Sequence, residues 1–446
     1  LKMPPRILYR VLETIPGILA WSTFVVLILA AWRIPTAAAF FIILFDVYWL
    51  CKTIYFSLHL RGTFRMLREN MRIDWSHKLG EDCETYPALA RWKELWHVVI
   101  FPMYEEPYEV VRESFAALAR SAYPKDRMIV VLACEERAGG AKEVARKIEE
   151  EFGGMFFRLM ITRHPAGLPG EIAGKGSNEA WAGKAVVREV IDSAGIRYES
   201  VLVSVFDADT QVLPHYFGVL TYSFLTASYP LRSSYQPIPL FVNNIFIAPA
   251  LARVISFSST FWHMIQQSRP ERLTTFSSHS MPLKALVDVG FWNTNVVSED
   301  SQIFWQCYLH YEGDWRTVPI FYPLSMDAGA APSFWGTLRN LYRQQRRWGW
   351  GCENIPYFLY GFFHHKKITL KKKIYWTFYY IEGFHSWATN AIIIFTMGWM
   401  PILLGGSAFR VSILSYNLPR IVRIIMYASM LGIASSAVLS VILLPV

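Results

Sequence analysis

Apolar positions fall into three regimes along the chain. Residues 14–32 carry no charge and are about long enough to cross a hydrocarbon core of ~30 Å. Residues 34–51 follow with Asp46 as their only charge, and Arg33 and Pro35 separate the two runs, which predicts a tight helical hairpin. Residues 386–409 and 424–446 are again charge-free, and the last run reaches the final residue, so a further helix is expected beyond it. Between these ends the pattern changes. Short apolar runs at 97–101, 128–133, 155–161 and 201–206 read as buried parallel strands. They alternate with helical stretches at 107–122, 141–152 and 177–194. Strand–helix alternation predicts an open α/β sheet that binds its ligand at the carboxyl ends of the strands. No G-x-G-x-x-G follows the first strand, which disfavours a dinucleotide fold of the dehydrogenase kind. Residues 163–177, rich in Gly and Pro, read as a loop.

Composition adds to this picture. Of 446 residues, 53% are hydrophobic and 18% charged, against a globular norm near ~25%, a deficit that membrane segments produce. A net charge of +9 without any recognition module argues against nucleic acid and fits nucleoside diphosphates and anionic lipid headgroups. The five cysteines are scattered, so zinc and disulfides are not expected. A secretory signal competes for the first run, but a second apolar run follows at once and no cleavage site is evident. Lys2, Arg6 and Arg10 precede the first run, Arg61, Arg65, Arg68 and Arg72 follow the second, and residues 364–373 carry a basic cluster before the third. The positive-inside rule then places residues ~60–373 in the cytoplasm. Arg410, Arg420 and Arg423 fall on the other side, against the rule.

Three motifs carry candidate chemistry. The strand at 201–206 ends in Asp207-Ala208-Asp209, two carboxylates able to hold a hard divalent cation and a nucleotide's ribose or diphosphate. A polar strand-end turn is the plainer alternative. Ser298 could cap a helix whose first turn carries Glu299 and Asp300; these acids either complement the helix dipole or supply a general base, Asp300. In the helix expected over 333–350, Gln344, Arg347 and Trp348 lie at i, i+3 and i+4 on one face. Arginine can fork onto a diphosphate and an indole can carry a sugar ring, and the same helix reads as amphipathic and interfacial. Glu382 and His385, three apart in the third apolar region, are either functional or an interfacial pair. Asp46 lines a translocation path or makes a helix–helix contact.

Together these residues resemble the membrane-bound family-2 glycosyltransferases of the cellulose, chitin and hyaluronan synthase type. Those enzymes carry a D-x-D, an x-E-D acid pair and a Q-x-x-R-W helix in that order; here they stand as Asp207/Asp209, Glu299-Asp300 and Gln344-x-x-Arg347-Trp348, followed by Gly351. The resemblance runs from about Trp96 to Gly351. Weaker parallels are Pro102, Tyr104 and Glu106 at the first strand's end, Lys175 and Asn178 in a K-x-x-N segment, and the dipeptide Gln236-Pro237. Two stretches depart from the pattern. Cys134-Glu135-Glu136 replaces an aspartate pair that contacts the base, and Cys352-Glu353-Asn354 follows the tryptophan.

The resemblance implies a GT-A-like open mixed sheet in the cytoplasm, flanked by transmembrane helices and an interfacial helix. Its parts would be an N-terminal hairpin (1–60), a linker (61–95), the catalytic domain (96–330), interfacial helices (331–373) and C-terminal helices (374–446). It also implies an inverting, Mg²⁺- or Mn²⁺-dependent transfer. Asp209 and Asp207 would serve the metal, Asp300 with Glu299 the catalysis, and Trp348 the acceptor. Pro102, Tyr104, Glu106, Glu135, Lys175, Asp207, Gln344 and Arg347 would bind a nucleotide-sugar donor, UDP- before GDP-. The acceptor would be a glycan, with possible export of polymer, or a lipid-linked sugar. A transporter or scaffold with a nucleotide-binding domain is the alternative from another class; it needs none of the three motifs.

Overall fold

The computed structural model describes residues 5–331 and 333–443; Lys2 and the end of the last apolar run lie outside the described residues. The chain divides into two compact units, one formed by Leu1–Arg61 with Ile355–Val446 and the other by Gly62–Asn354.

The first unit is helical. Pro5–Arg33 and Pro35–Met71 are the two helices that, among the described residues, are by themselves long and apolar enough to cross a membrane. The third expected span is not one straight helix. Leu370–Phe395 ends at Thr396, and Met397–Leu404 continues it after a bend of 48°. Pro401 has no amide hydrogen to give back to the preceding turn, and Gly406 sits at φ +72°, so a regular helix cannot pass through. The last run lies in Ile413–Ile442, a helix that also takes in Arg420 and Arg423. Four separate spans were expected; two helices qualify among the described residues, or three if the bent pair counts as one. Glu382 and His385 have partners on the first two helices. Lys52 Nζ donates to Glu382 Oε1 at 2.9 Å, and Thr23 Oγ1 lies 2.9 Å from His385 Nε2. Both contacts join one helix to another.

The second unit is an α/β domain built on one eight-stranded mixed sheet. Its strands are β1 (Trp96–Met103), β2 (Met128–Glu135), β3 (Arg158–His164), β4 (Val201–Val205), β5 (Gln211–Val212), β6 (Ser233–Phe241), β7 (Ser280–Pro282) and β8 (Arg316–Met326). They lie in the order β3-β2-β1-β4-β7-β6-β8-β5. The first four strands are parallel, β7 is antiparallel to β4, and β8 returns parallel to β6. All of β2 and β4 is buried, as their largely apolar sequences require of strands covered on both faces; Ser204 in β4 and Glu135 at the end of β2 are the polar residues in them. The third strand begins at Arg158, not 155: the turn residues Gly153 and Gly154 and the exposed Met155 and Phe157 keep the chain outside the sheet until then.

The site is positioned by this strand order. From β1 the chain moves outward to β2 and β3, then returns to place β4 on the other side of β1. The carboxyl ends of β1 and β4 therefore diverge, and a crevice opens between the loops that leave them, where open α/β sheets bind ligands. Tyr104 follows β1 and Phe206-Asp207-Ala208-Asp209 follows β4.

Candidate active site

Phe206 is fully buried and anchors the turn after β4, with its amide donating to Ile100 O at 3.0 Å. The next residue, Asp207, takes two short bonds: from Lys175 Nζ at 2.6 Å to Oδ1 and from Ser277 Oγ at 2.5 Å to Oδ2. Burial works to raise its pKa, but Lys175 and Ser277 outweigh it and hold Asp207 below the ordinary carboxylate value. Lys175 opens the helix Lys175–Val186, whose next turn brings Glu179 Oε1 to 3.5 Å from the ammonium. Burial opposes the charge on Lys175, yet Asp207, Glu179, Glu299 and Asp300 together raise its pKa. Glu179 is 1% exposed, and burial pushes its carboxyl up to about 8.

Ser277 is itself held. Gln236 Oε1 accepts from the Phe276 amide at 2.9 Å, and Ser278 stands at φ +64°, a left-handed conformation uncommon for a residue with a side chain. Gln236 thus supports the loop that binds Asp207.

Asp209 lies apart from this ion pair. Its Oδ2 accepts from the Asp327 amide at 3.2 Å, and Asn243 Nδ2 donates to its carbonyl at 3.0 Å. Burial first, then the charges of Asp207 and Asp327, push the Asp209 carboxyl up to about 7. Burial likewise raises Asp327. Among the described residues no group of three or more His, Cys, Asp or Glu side chains is arranged to hold a metal by itself.

The acid pair opens the helix Glu299–His310 as expected, but the capping differs. Ser298 is the N-cap residue, yet its hydroxyl makes no bond to its own helix; it donates to Glu353 Oε1 at 2.6 Å. Glu299 is 4% exposed and packs on Gly176, where a Cβ would stand only 2.8 Å from Glu299 Cβ. Burial, then Asp300 and Glu179, raise the Glu299 carboxyl well above its ordinary value. Burial also raises Asp300, against the opposing pull of Lys175, while Asp300 Oδ1 accepts from the Ser301 amide at 2.7 Å.

The Gln-x-x-Arg-Trp segment lies in the helix Phe334–Gly349, capped by Ser333, whose hydroxyl accepts from Gly336 N. Arg347 is exposed, and its charge acts on both Asp207 and Asp300, favouring their ionised forms. Gln344 borders the loop after Asp327, with its side chain about one contact distance from Gly329.

Residues 202–443, more than half of the chain, match glycosyl transferase family group 2. The chain belongs to this family. It is therefore a glycosyltransferase. No curated protein gives a significant match to the sequence. Among solved structures, the fold is similar to the mannosyltransferase PcManGT from Pyrobaculum calidifontis, in complex with GDP-Man and Mn²⁺ (14% identity, TM-score 0.38, 82% of this chain and 98% of that one). It is also similar to S. aureus TarS 1-349 in complex with UDP-GlcNAc (16% identity, TM-score 0.35, 74% and 91%). A third is glucosyl-3-phosphoglycerate synthase from Mycobacterium tuberculosis with Mg²⁺ and UDP (12% identity, TM-score 0.34, 60% and 83%). These likenesses are distant, and the family assignment rests on the sequence match.

Within the glycosyltransferase, the expected site residues fall into two groups. Lys175, Asp207, Asp209, Glu299, Asp300 and Arg347 interact around the end of β4. Pro102, Tyr104, Glu106 and Glu135 lie at the ends of β1 and β2. There Glu106 accepts from the Tyr104 amide at 2.7 Å, and Arg137 stacks 4.7 Å over the Tyr104 ring. Glu135 is buried, bound by Arg137 at 3.1 Å and 3.5 Å from His164 Nδ1. Trp348 is half-buried on its helix. Sequence reasoning passed over Ser277, Asp327 and Glu179, and gave Glu353 no role. Glu179 alone had a signal, an acid four residues after Lys175 on the same helix face.

Proposed function

We propose that this glycosyltransferase is membrane-bound, of the cellulose, chitin and hyaluronan synthase type, and transfers a sugar with inversion from a nucleotide-sugar donor to a glycan at the cytoplasmic face. The observation that carries the reading is the meeting, at the switch point of the sheet, of one half-buried lysine, bonded to Asp207, with the charges of Glu299 and Asp300, while Arg347 acts on two of those acids. That arrangement offers cationic groups for a diphosphate beside a carboxylate whose proton affinity is raised. In this reading the donor's nucleotide lies along β1 and β2, by Tyr104, Glu106 and Glu135, with a uridine donor ahead of a guanosine one.

In this reading the acceptor hydroxyl attacks the anomeric carbon and its proton passes to Asp300. A carbon–oxygen bond forms on one face of the sugar as the bond to the diphosphate breaks on the other, and the nucleoside diphosphate leaves. A base works best when its pKa approaches the working pH, and burial moves Asp300 in that direction. Arg347 and Lys175 stabilise the departing diphosphate, Gln344 orders the loop after Asp327, and Trp348 gives the acceptor ring a flat surface.

A divalent cation fits this donor set. Asp209 is crowded by Asp207 and Asp327, and the resulting excess of negative charge on hard oxygens is what Mg²⁺ or Mn²⁺ relieves. Asp209 would hold it, with Asp207 nearer the nucleotide, and the donor's phosphate oxygens would complete its shell. When bound, the ion neutralises charge on the leaving diphosphate. The two or three membrane-length helices among the described residues also favour a single transfer onto a lipid-linked acceptor as the second reading.

Purified protein incubated with a panel of UDP- and GDP-sugars, with and without EDTA, tests the proposal. One sugar nucleotide should be consumed with release of its diphosphate, in a metal-dependent way, and mass spectrometry of the product separates polymer from singly glycosylated lipid. Full turnover in chelator would remove the metal from the reading.

A further inference from the structure

The segment Cys352-Glu353-Asn354 continues directly from the Gln344–Trp348 helix through the turn Trp350–Glu353, and it returns to the acid pair. Glu353 Oε1 accepts three hydrogen bonds, from Val297 N at 2.9 Å, from Ser298 N at 2.8 Å and from Ser298 Oγ at 2.6 Å. Asn354 is fully buried behind it; its Nδ2 donates to Ser301 Oγ at 2.9 Å and reaches Ser298 Oγ at 3.5 Å. Ser301 Oγ in turn donates to Ser298 O at 3.2 Å. The clamped residues, Val297, Ser298 and Ser301, stand on both sides of Glu299 and Asp300.

Three donors converging on one carboxylate oxygen are stronger and more directional than neutral hydrogen bonds. A Ser at an N-cap ordinarily accepts from its own helix; here Ser298 is turned around to donate to a residue 55 positions away. The helix that carries Arg347 and the turn that carries Asp300 are thereby joined at a second point, beyond the long-range attraction between their charges.

We infer that Glu353, supported by Asn354, is a positioning residue that fixes the Ser298–Ser301 turn and so sets where Asp300 stands relative to the helix of Gln344, Arg347 and Trp348. The inference rests on the reading of Asp300 as base. In this reading Glu353 acts through the turn it binds and not on donor or acceptor. Its removal lets the turn relax, and a displacement on the order of 1 Å at a reacting group costs roughly 100-fold in rate.

The test compares Glu353→Ala, Glu353→Gln and Asp300→Asn in the full chain. For each, transfer rate is measured with the sugar nucleotide the panel selects, and affinity for the matching free diphosphate, UDP or GDP, by calorimetry. Glu353→Ala should lower kcat roughly 10- to 100-fold while diphosphate affinity stays within about twofold, because the groups assigned to the diphosphate keep their places. Glu353→Gln should recover most of the loss, since its amide oxygen still accepts the three bonds. Wild-type kcat in Glu353→Ala overturns the inference. So does a Gln variant as slow as the Ala one, or an affinity that falls in proportion to kcat. Should Glu353→Ala fail to fold, Ser298→Ala, which deletes the 2.6 Å bond to Glu353 and the 3.5 Å contact with Asn354 Nδ2 but leaves the two backbone bonds to Glu353, must still slow transfer severalfold at unchanged affinity; wild-type kcat there overturns it equally. Asp300→Asn keeps the two failures apart. Full activity of that variant defeats the base reading, whereas its inactivity beside a fully active Glu353→Ala defeats the clamp alone.

Discussion

Gly176→Ala tests how closely the lysine helix must approach the acid turn. A Cβ at this position would stand 2.8 Å from Glu299 Cβ, 3.0 Å from Glu299 Cγ and 3.1 Å from Asn293 O. Two effects oppose each other. Replacing a glycine inside a helix with alanine stabilises by roughly 0.5–1 kcal/mol, and overpacking a filled contact costs about 1–3 kcal/mol. The neighbours include a backbone carbonyl and the base of a buried side chain, neither of which swings aside, so the clash wins. Gly80→Ala is the control, because Gly80 lies in the helix Trp75–Glu81 and a Cβ there meets nothing within 4 Å. The two variants should differ by the clash alone, about 1–3 kcal/mol, or roughly 2–6 °C in thermal midpoint for a domain of this size. Gly176→Ala should also separate Lys175 from Glu299 and Asp300, and lower the transfer rate about 10- to 100-fold. Midpoints are read from the unfolding of purified protein, and rates from nucleotide release. Equal midpoints for the two variants, with wild-type transfer by Gly176→Ala, would refute the close packing and its role.

His97 is fully buried in β1, 2.9 Å from Thr221 Oγ1, and burial lowers its pKa from 6.5 to about 3. The unfolded chain therefore binds the extra proton between those values, so stability is whole above pH 6.5 and falls as pH drops towards 3, by a few kcal/mol in all (at ~1.4 kcal/mol per unit); His97→Gln should flatten that decline, and an unchanged pH profile would contradict it. Asp209→Asn should abolish transfer and raise the metal concentration needed for donor binding, measured by calorimetry with Mn²⁺, while thermal stability is kept or increased by relief of the Asp207 and Asp327 repulsion. Trp348→Ala should slow transfer to sugar more than it slows donor hydrolysis by water; equal effects on both would argue for a purely structural tryptophan.

How much of this was legible in the sequence depended on the kind of contact involved. Strands β1, β2 and β4 are read directly from short, largely apolar runs, because parallel strands covered on both faces admit little else; Ser204 is the polar residue inside β4. His97 is the exception inside β1, tolerated because Thr221 supplies its Nε2 partner. Strand β6 escaped notice because Pro237 and Pro239 interrupt it; the ladder to β8 shifts register between Gln236 and Ile238, which accommodates a residue without an amide hydrogen. In β8 the burial pattern is irregular, so no period of two marked it. At the site, the motif residues Asp207, Asp300 and Arg347 announced themselves by spacing, and Lys175 by a weaker local pattern. Ser277, Asp327 and Glu353 did not, because each acts on a residue 55 or more positions away, and no local pattern encodes a contact that only the fold creates. The third apolar run read as one span because hydropathy does not register the bend at Thr396, between Leu370–Phe395 and Met397–Leu404.

The most direct test of the account is the Asp300→Asn enzyme. Asparagine keeps the size of the side chain and its acceptor oxygen for the Ser301 amide, and removes only the capacity to take a proton. The account predicts transfer slowed roughly 10²–10⁴-fold, with UDP or GDP binding close to that of the unaltered enzyme, since the groups assigned to the diphosphate, Lys175 and Arg347, are untouched. Wild-type turnover by Asp300→Asn would contradict it, and the two acids would then be no more than the negatively charged first turn of a helix.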